Sequence, residues 1–236
     1  MAITVYWASL EPEWMRVKKP ESVFKSLMVR DKNTNVDMNL CPSIKDFLNN
    51  YYGLRSIYNY SFDVLPDKSV IPGDLEDSHS NTNEFARQHL SIRSAEQKLY
   101  SFQQKIIFFT EEDSLLMSLE YPFLEDNNIT ERCMIIPGQF DIGKWLRPIE
   151  FAFYLKEKHE KFIIKYDEIY AYLKFHTDEK IEFKEFMITP TLYNHVNSVI
   201  SSKHPHIKRG LIELPYYYSI FKQKKNVLKE IKNNLL

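Results

Sequence analysis

The clearest pattern of hydrophobic and polar positions lies in the block from residue 137 to residue 186. Apolar side chains alternate with their neighbours in the segments 149–155, 169–175 and 181–183. A period of two is typical of β-strands with one buried face. The connecting stretches KEKHEK and TDEK are short and polar, so the strands are expected to pair as antiparallel hairpins. The block is therefore predicted to form the centre of a sheet.

Shorter apolar segments predict further strands elsewhere in the chain. They lie around residues 3–7, 57–62, 115–121 and 134–136. The segment from residue 94 onward leaves two interpretations open. Its SAEQ sequence offers a helical capping box, whereas QKIIFF has the β-branched and aromatic residues of a buried strand.

Helices are predicted for ESVFKSLM, for CPSIKDFLNNYYG, for the stretch that begins at Thr189-Pro190, and for the basic C-terminal stretch. In CPSIKDFLNNYYG, apolar side chains recur at i, i+3, i+4 and i+7. Ser43 is its expected N-cap, and Gly53 is expected to end it in the left-handed conformation. Proline directly after a threonine cap is a strong start signal for the next helix. Each amphipathic helix needs a surface to cover, and a face of the sheet is the natural one.

These elements predict one globular α+β domain that spans residues 1–236. The chain is 44% hydrophobic, which allows a sizeable core at this length, and it contains no repeat and no obvious linker. A mainly antiparallel sheet with peripheral helices and a C-terminal helix is expected. A jelly roll or double-stranded β-helix is the candidate topology.

Charge and cysteine content exclude several classes of protein. The formal net charge of −1 gives no overall attraction to nucleic acid or to an acidic membrane. Cys41 and Cys133 are too few for a disulfide framework or a zinc site, and free thiols fit a reducing cytosol. The N-terminus lacks the pattern of a signal peptide, and no apolar segment approaches the ~20 residues that span a bilayer. A soluble, cytoplasmic protein without a membrane partner is expected.

Aromatic and basic side chains occupy alternate positions along the predicted strand 169–175 and its end. We call Tyr170, Tyr172, Lys174 and His176 the tyrosine stripe. Interleaved aromatic and basic groups on a sheet can stack bases and neutralise phosphates, as in single-stranded nucleic-acid binding. They also form ordinary protein interfaces. A third interpretation is a face that one of the helices covers.

His176-Thr177-Asp178 is the sharpest candidate for metal chemistry. An H-x-D pair at the end of a strand begins the two-histidine, one-carboxylate triad that binds Fe(II) in non-haem oxygenases. His204 or His206 would supply the missing histidine, and a 2-oxoglutarate oxygenase is the corresponding enzyme class. The spacing opposes this hypothesis, because a predicted helix fills most of the interval and Asp178 falls in a predicted turn. A hairpin end with a surface histidine is the simpler interpretation, and it needs no cofactor.

Other catalytic patterns are missing from the sequence. There is no G-x-S-x-G elbow for an activated serine and no glycine-rich loop for phosphate. Neither cysteine has the surroundings of a known catalytic thiol. The sequence leaves open whether the protein is an enzyme, and it favours a non-enzymatic role.

Several short motifs resemble an uncharacterised family of proteins encoded by marine tailed phages, especially cyanophages. The shared pattern is an early strand with tryptophan (ITVYWA), Cys41-Pro42 before a helix, a G-x-F-D-I-x-x-W-x-R-P block and a late L-x-F-x-T strand. The block corresponds to Gly138, Phe140, Asp141, Ile142, Trp145, Arg147 and Pro148, and the late strand to Leu173, Phe175 and Thr177. The resemblance implies a viral gene product of unassigned function and offers no catalytic residues.

The leading functional hypothesis is a phage-encoded, non-enzymatic binding or virion-associated protein. It would contact a phage or host protein, in the host cytoplasm or in the virion. The alternatives are the iron-dependent enzyme and a single-stranded nucleic-acid-binding protein.

Overall fold

The structure is a computed structural model that describes residues 2–11, 17–31, 41–65, 70–72, 88–94, 96, 99–102, 104–156, 161–201 and 223–236. Its fold is α+β with mostly antiparallel sheets, which confirms the predicted fold class. Among the described strands no sheet closes into a barrel, and the arrangement is sandwich-like. The finer assignment to a jelly roll or a double-stranded β-helix stays a prediction.

The described strands are β1 (Ala2–Ser9), β2 (Glu21–Ser22), β3 (Tyr51–Arg55), β4 (Tyr60–Val64), β5 (Val70–Pro72), β6 (Leu90–Ser94), β7 (Leu99–Phe102), β8 (Ile106–Thr110), β9 (Leu116–Glu120), β10 (Cys133–Ile136), β11 (Gly138–Asp141), β12 (Phe151–Leu155), β13 (Lys161–Ile164), β14 (Ile169–Phe175) and β15 (Lys180–Glu185). The described helices are α1 (Val23–Asp31), α2 (Pro42–Phe47), α3 (Asn128–Arg132), α4 (Pro190–Ser201) and α5 (Lys224–Asn233). The strands form sheets in the orders β15-β1-β8, β10-β12-β7-β6, β11-β9-β14-β3-β2 and β13-β4-β5.

The central block contains the predicted strands, but the predicted hairpin pairing is wrong. β12 lies between β10 and β7, β14 lies between β9 and β3, and β15 runs parallel to β1. One reason is that β13, which the alternation did not reveal, occupies the chain between β12 and β14 and pairs with β4. A second reason is that β3 and β9 occupy the two edges of β14, which leaves no edge for β12 or β15.

Apolar residues of the strands pack between the sheets in one main core. Its largest fully buried side chains are Trp7, Tyr60, Tyr100, Phe62, Phe102, Phe108, Phe153, Phe162 and Phe175. A second cluster packs α4 and α5 against the other face of β1 and β8. A third cluster packs α1 and the segment after α2 against β3 and β14. Helices α1, α4 and α5 therefore cover outward faces of the sheets, whereas α2 has no buried residue.

Caps were predicted for two helices, and the structure has the predicted cap in one of them. Leu192 N donates to Thr189 Oγ1 over 3.3 Å, so the predicted start of α4 is confirmed. Helix α2 begins after Cys41 without a side-chain cap, and it ends before Gly53. Gly53 belongs to β3, where an added Cβ would lie 2.8 Å from Ile169 Cδ1. Asn50, with φ of 56°, takes the left-handed conformation instead.

Candidate functional site

A bulge in β14 divides the tyrosine stripe between two faces of the sheet. The ladder between β14 and β3 shifts register between Ile169 and Ala171. As a result Tyr170 packs in the main core, where its ring centroid lies 5.4 Å from that of Phe151. Tyr172 lies on the opposite face, in the cluster under α1. Tyr170 and Tyr172 are both buried, with exposed fractions of 2% and 0%, so neither ring is available at the surface.

The end of the stripe remains accessible. Lys174 is half-buried and His176 is exposed. Lys174 Nζ donates to Asn49 O over 2.5 Å and lies 4.8 Å from the centroid of the Tyr51 ring. Burial lowers the pKa of Lys174, and the charges of Glu120 and Asp178 oppose that shift. The ammonium is thus held over an aromatic face, a geometry that stabilises a cation.

Exposed aromatic rings lie beside Lys174. Phe47 at the end of α2 is 56% exposed and Phe123 after β9 is 40% exposed. Their ring centroids are 5.7 Å apart, and each ring also contacts Tyr51. Phe123 further packs edge-on against Tyr172, with 5.2 Å between centroids. We call Phe47, Tyr51, Phe123, Tyr172, Lys174 and His176 the outer-face patch.

Hydrogen bonds fix the tyrosines beneath the exposed rings. Tyr51 Oη donates to Glu120 Oε2 over 2.7 Å, and Tyr172 Oη donates to Glu125 Oε1 over 2.8 Å. Burial, together with the Glu120 carboxylate, raises the pKa of Tyr51 far above its ordinary value, so this hydroxyl stays a donor. The patch is consequently a rigid platform whose aromatic side chains lose little conformational entropy on contact.

Among the described residues, Ser118 and His176 come closest to the geometry of a catalytic nucleophile and its base. Ser118 Oγ lies 2.5 Å from His176 Nε2, and the serine hydroxyl donates when that nitrogen is unprotonated. Among the described residues nothing bonds to the other ring nitrogen of His176. A catalytic pair of this kind needs a group that orients the imidazole. Within the described residues the pair lacks such a group, and its hydrogen bond positions the His176 ring at the border of the patch.

The metal hypothesis finds no further support in the described part of the chain. Within it, no three His, Cys, Asp or Glu side chains are grouped closely enough to hold an ion. His176 and Asp178 both follow β14, whereas His204 and His206 lie outside the described residues. The Fe(II) site therefore stays a prediction.

A wide groove of about 1590 Å³ runs between β15 on one side and β2, α1 and α2 on the other; we call it the edge groove. Its floor includes Tyr52, whose ring packs edge-on against Phe183 with 4.9 Å between centroids. Asn50 lies at one end, where its Nδ2 donates to Thr177 O over 2.7 Å and to Glu179 O over 2.9 Å. These bonds join the turn before β3 to the turn before β15.

Replacing Asn50 by alanine should lower the free energy of unfolding by about 2 kcal/mol, from the lost hydrogen bonds and the left-handed backbone. The side chain is buried and φ is 56°. Glycine at the same position loses the hydrogen bonds but tolerates the backbone, so Asn50→Gly should cost about 1 kcal/mol less than Asn50→Ala. Urea denaturation of both variants measures the difference. Equal stability of both variants and the wild type would contradict this role.

Comparison of the chain with protein-family models, with curated proteins and with solved structures finds no match. In the part of the chain that the structure describes, no helix combines the length and the apolar character needed to cross a bilayer. Fold and surface together define a sandwich-like α+β protein with a rigid aromatic patch on one outer face and a groove along a strand edge.

Proposed function

We propose that this is a phage-encoded, non-enzymatic binding protein that contacts another protein through its outer-face patch, in the virion or in the host cytoplasm. The observation that supports a binding role is the pair of exposed rings, Phe47 and Phe123, fixed on buried tyrosines. Exposed aromatic anchors of this kind provide most of the binding energy in protein interfaces. The phage origin rests on the sequence resemblance alone.

The charges around the patch favour a polypeptide over a nucleic acid. The charges of Glu120 and Asp178 act on Lys174, and Glu125 accepts a hydrogen bond from Tyr172 Oη in the same patch. A groove that tracks a phosphate backbone needs an excess of positive charge, and here acidic groups balance the cation. The partner is therefore a protein that packs an aliphatic or aromatic side chain against the exposed surfaces of the two phenylalanine rings.

Phe123→Ser and Phe47→Ser test the proposal, with Met134→Ser as the matched control. Met134 is 55% exposed on β10, outside the patch, so its replacement removes a similar amount of exposed apolar surface. Tagged protein, incubated with extracts of infected host cells, should retain a stoichiometric partner in the wild type and the control. Each patch variant should weaken that association at least about tenfold, as expected for a hot-spot residue.

Equal retention by the patch variants would overturn the choice of surface. Mass spectrometry of purified virions tests association with the particle. A protein missing from virions and without any stoichiometric partner would contradict the binding role as a whole. Binding to a single-stranded oligonucleotide that falls steeply with salt would favour the nucleic-acid alternative instead.

A further inference from the structure

Among the described strands β15 pairs only with β1, and residues 180–184 have no strand on the other edge. At the end of that other edge, Leu236 N donates to Glu185 O over 3.0 Å, so the open part of the edge stops before Glu185. Phe186 N donates to Trp7 O over 3.1 Å. Because the backbone groups of successive residues point to opposite edges of a strand, those of Lys184, Glu182 and Lys180 also point toward β1. It follows that the N–H and C=O groups of Ile181 and Phe183 point the opposite way, into the edge groove.

The far wall of the groove ends in a second strand edge. β2 pairs only with β3 among the described strands, and it forms the border of the five-stranded sheet. Glu21 and Ser22 of β2 line the groove together with residues of β15. Its volume of about 1590 Å³ exceeds the roughly 300–1,000 Å³ of small-molecule pockets. These dimensions and the open backbone groups suit an extended polypeptide.

The wall opposite β15 has an excess of unpaired positive charge. Lys19, Lys25 and Lys45 are exposed, line the groove, and form no ion pair with any described residue. The wall opposite β15 has two carboxylates, those of Glu21 and Asp46. Glu21 pairs with Arg55 over 3.2 Å, so only Asp46 remains to offset the three lysines. A ligand strand with acidic side chains would place them opposite these lysines.

We propose that an extended acidic segment of a partner protein adds as a strand along β15 in the edge groove. Strand addition uses main-chain hydrogen bonds for affinity and alternate side chains for specificity. None of the residues of the outer-face patch lines the edge groove, although Lys45 and Asp46 of α2 do. The proposal therefore does not depend on the exposed aromatic rings. Lys180 and Lys184, which are exposed on β15, also discourage pairing between identical chains along this edge.

A fluorescein-labelled peptide of alternating valine and glutamate is the probe, measured by fluorescence anisotropy. It should bind at least tenfold more tightly than a peptide with lysine in place of glutamate. Methylation of alternate backbone nitrogens should weaken binding at least tenfold, because it removes the hydrogen bonds to one strand edge. Peptide binding should also slow hydrogen exchange at the amides of Ile181 and Phe183.

Lys25→Glu and Lys45→Glu should each weaken binding of the glutamate peptide several-fold, and about tenfold when combined. Lys225→Glu is the matched control, since Lys225 is an exposed lysine on α5 outside the groove. Phe123→Ser should leave peptide binding unchanged, which separates this site from the outer-face patch. The proposal is overturned if the glutamate peptide does not bind at about 1 mM, if both peptides bind equally, or if Lys225→Glu has the same effect.

Discussion

Replacing Gly143 by alanine is expected to lower the free energy of unfolding by about 3 kcal/mol, the upper end of the cost of overpacking. An added Cβ would lie 2.5 Å from Glu112 O and 2.9 Å from Ser114 N and Cα. All of these are backbone atoms, which cannot rotate away as the end of a side chain can. The turn that contains Gly143 and the loop after β8 therefore have to separate to admit a methyl group.

Asp141 makes that separation costly. Its Oδ1 accepts hydrogen bonds from Gly143 N over 3.1 Å and Leu115 N over 3.3 Å, and its Oδ2 accepts from Ser114 Oγ over 2.8 Å. Burial would raise the pKa of Asp141, but Lys144 and these donors outweigh it and hold the pKa below its usual value. The carboxylate thus stays charged and ties the two segments together.

Gly138→Ala is the matched control for this prediction. There the nearest side-chain atoms to an added Cβ are Phe140 Cε2 at 3.6 Å and Cζ at 3.9 Å, which are ordinary contacts. The control should change stability by less than about 1 kcal/mol. Urea denaturation of both variants measures the contrast. Two variants of equal stability would show that the turn at Gly143 moves freely.

Glu11→Gln is expected to cost about 3–5 kcal/mol near neutral pH, because it removes one partner of a buried charged cluster. The Glu11 side chain is 2% exposed, and its Oε1 lies 3.0 Å from His89 Nε2 and 3.3 Å from Lys105 Nζ. Glutamine keeps the size of the side chain but loses the charge. The imidazole of His89, which is fully buried, then loses its anionic partner.

The effect of Glu11→Gln should depend on pH in a defined direction. Burial acts to raise the pKa of Glu11, but the hydrogen bond and charge of His89, with those of Lys105, lower it below its ordinary value of 4.5. A carboxyl with a lowered pKa in the folded state stabilises the protein fully above its unfolded pKa, and this stabilisation is lost as the pH falls through the folded pKa. The wild type and the variant should therefore approach each other in stability below about pH 4.

Denaturant titrations at several pH values measure this convergence. Glu182→Gln is the control, because Glu182 is a half-exposed residue 3.7 Å from Lys180 and its loss should cost less than about 1 kcal/mol at every pH. A difference between wild type and Glu11→Gln that stays constant down to acid pH would show that the charge of Glu11 does not contribute.

The sequence predicted most elements of the central block but not their neighbours. Alternation along β14 and β15 shows which side chains share a face, and it contains no information about which strand pairs with which. The parallel pairing of β1 with β15 joins residues that are far apart in the sequence, such as Ile3 and Ile181. No local turn signal can indicate a contact of that kind.

The candidate site was predicted in part, for similar reasons. Lys174 and His176 lie where the alternation placed them, whereas a single bulge moved Tyr170 to the other face. Phe47 was part of the apolar stripe predicted to pack on the sheet, but α2 ends at Phe47 and has no buried residue, so the ring is exposed. Phe123 follows Pro122 in a turn, and only the packing of that turn on Tyr172 shows that its ring is presented to solvent.

The pairing of β1 with β15 also determines when each edge of β1 can be paired during synthesis. β1 leaves the ribosome before both of its neighbours. Its antiparallel partner β8 follows about a hundred residues later, and β15 follows later still. Contacts of such wide sequence separation form slowly, because closing the intervening loop costs entropy before the contact forms. One edge of β1 consequently stays open until residues 180–185 have emerged, so that a nascent chain stalled before them exposes the apolar first strand to chaperones and to other unfinished chains.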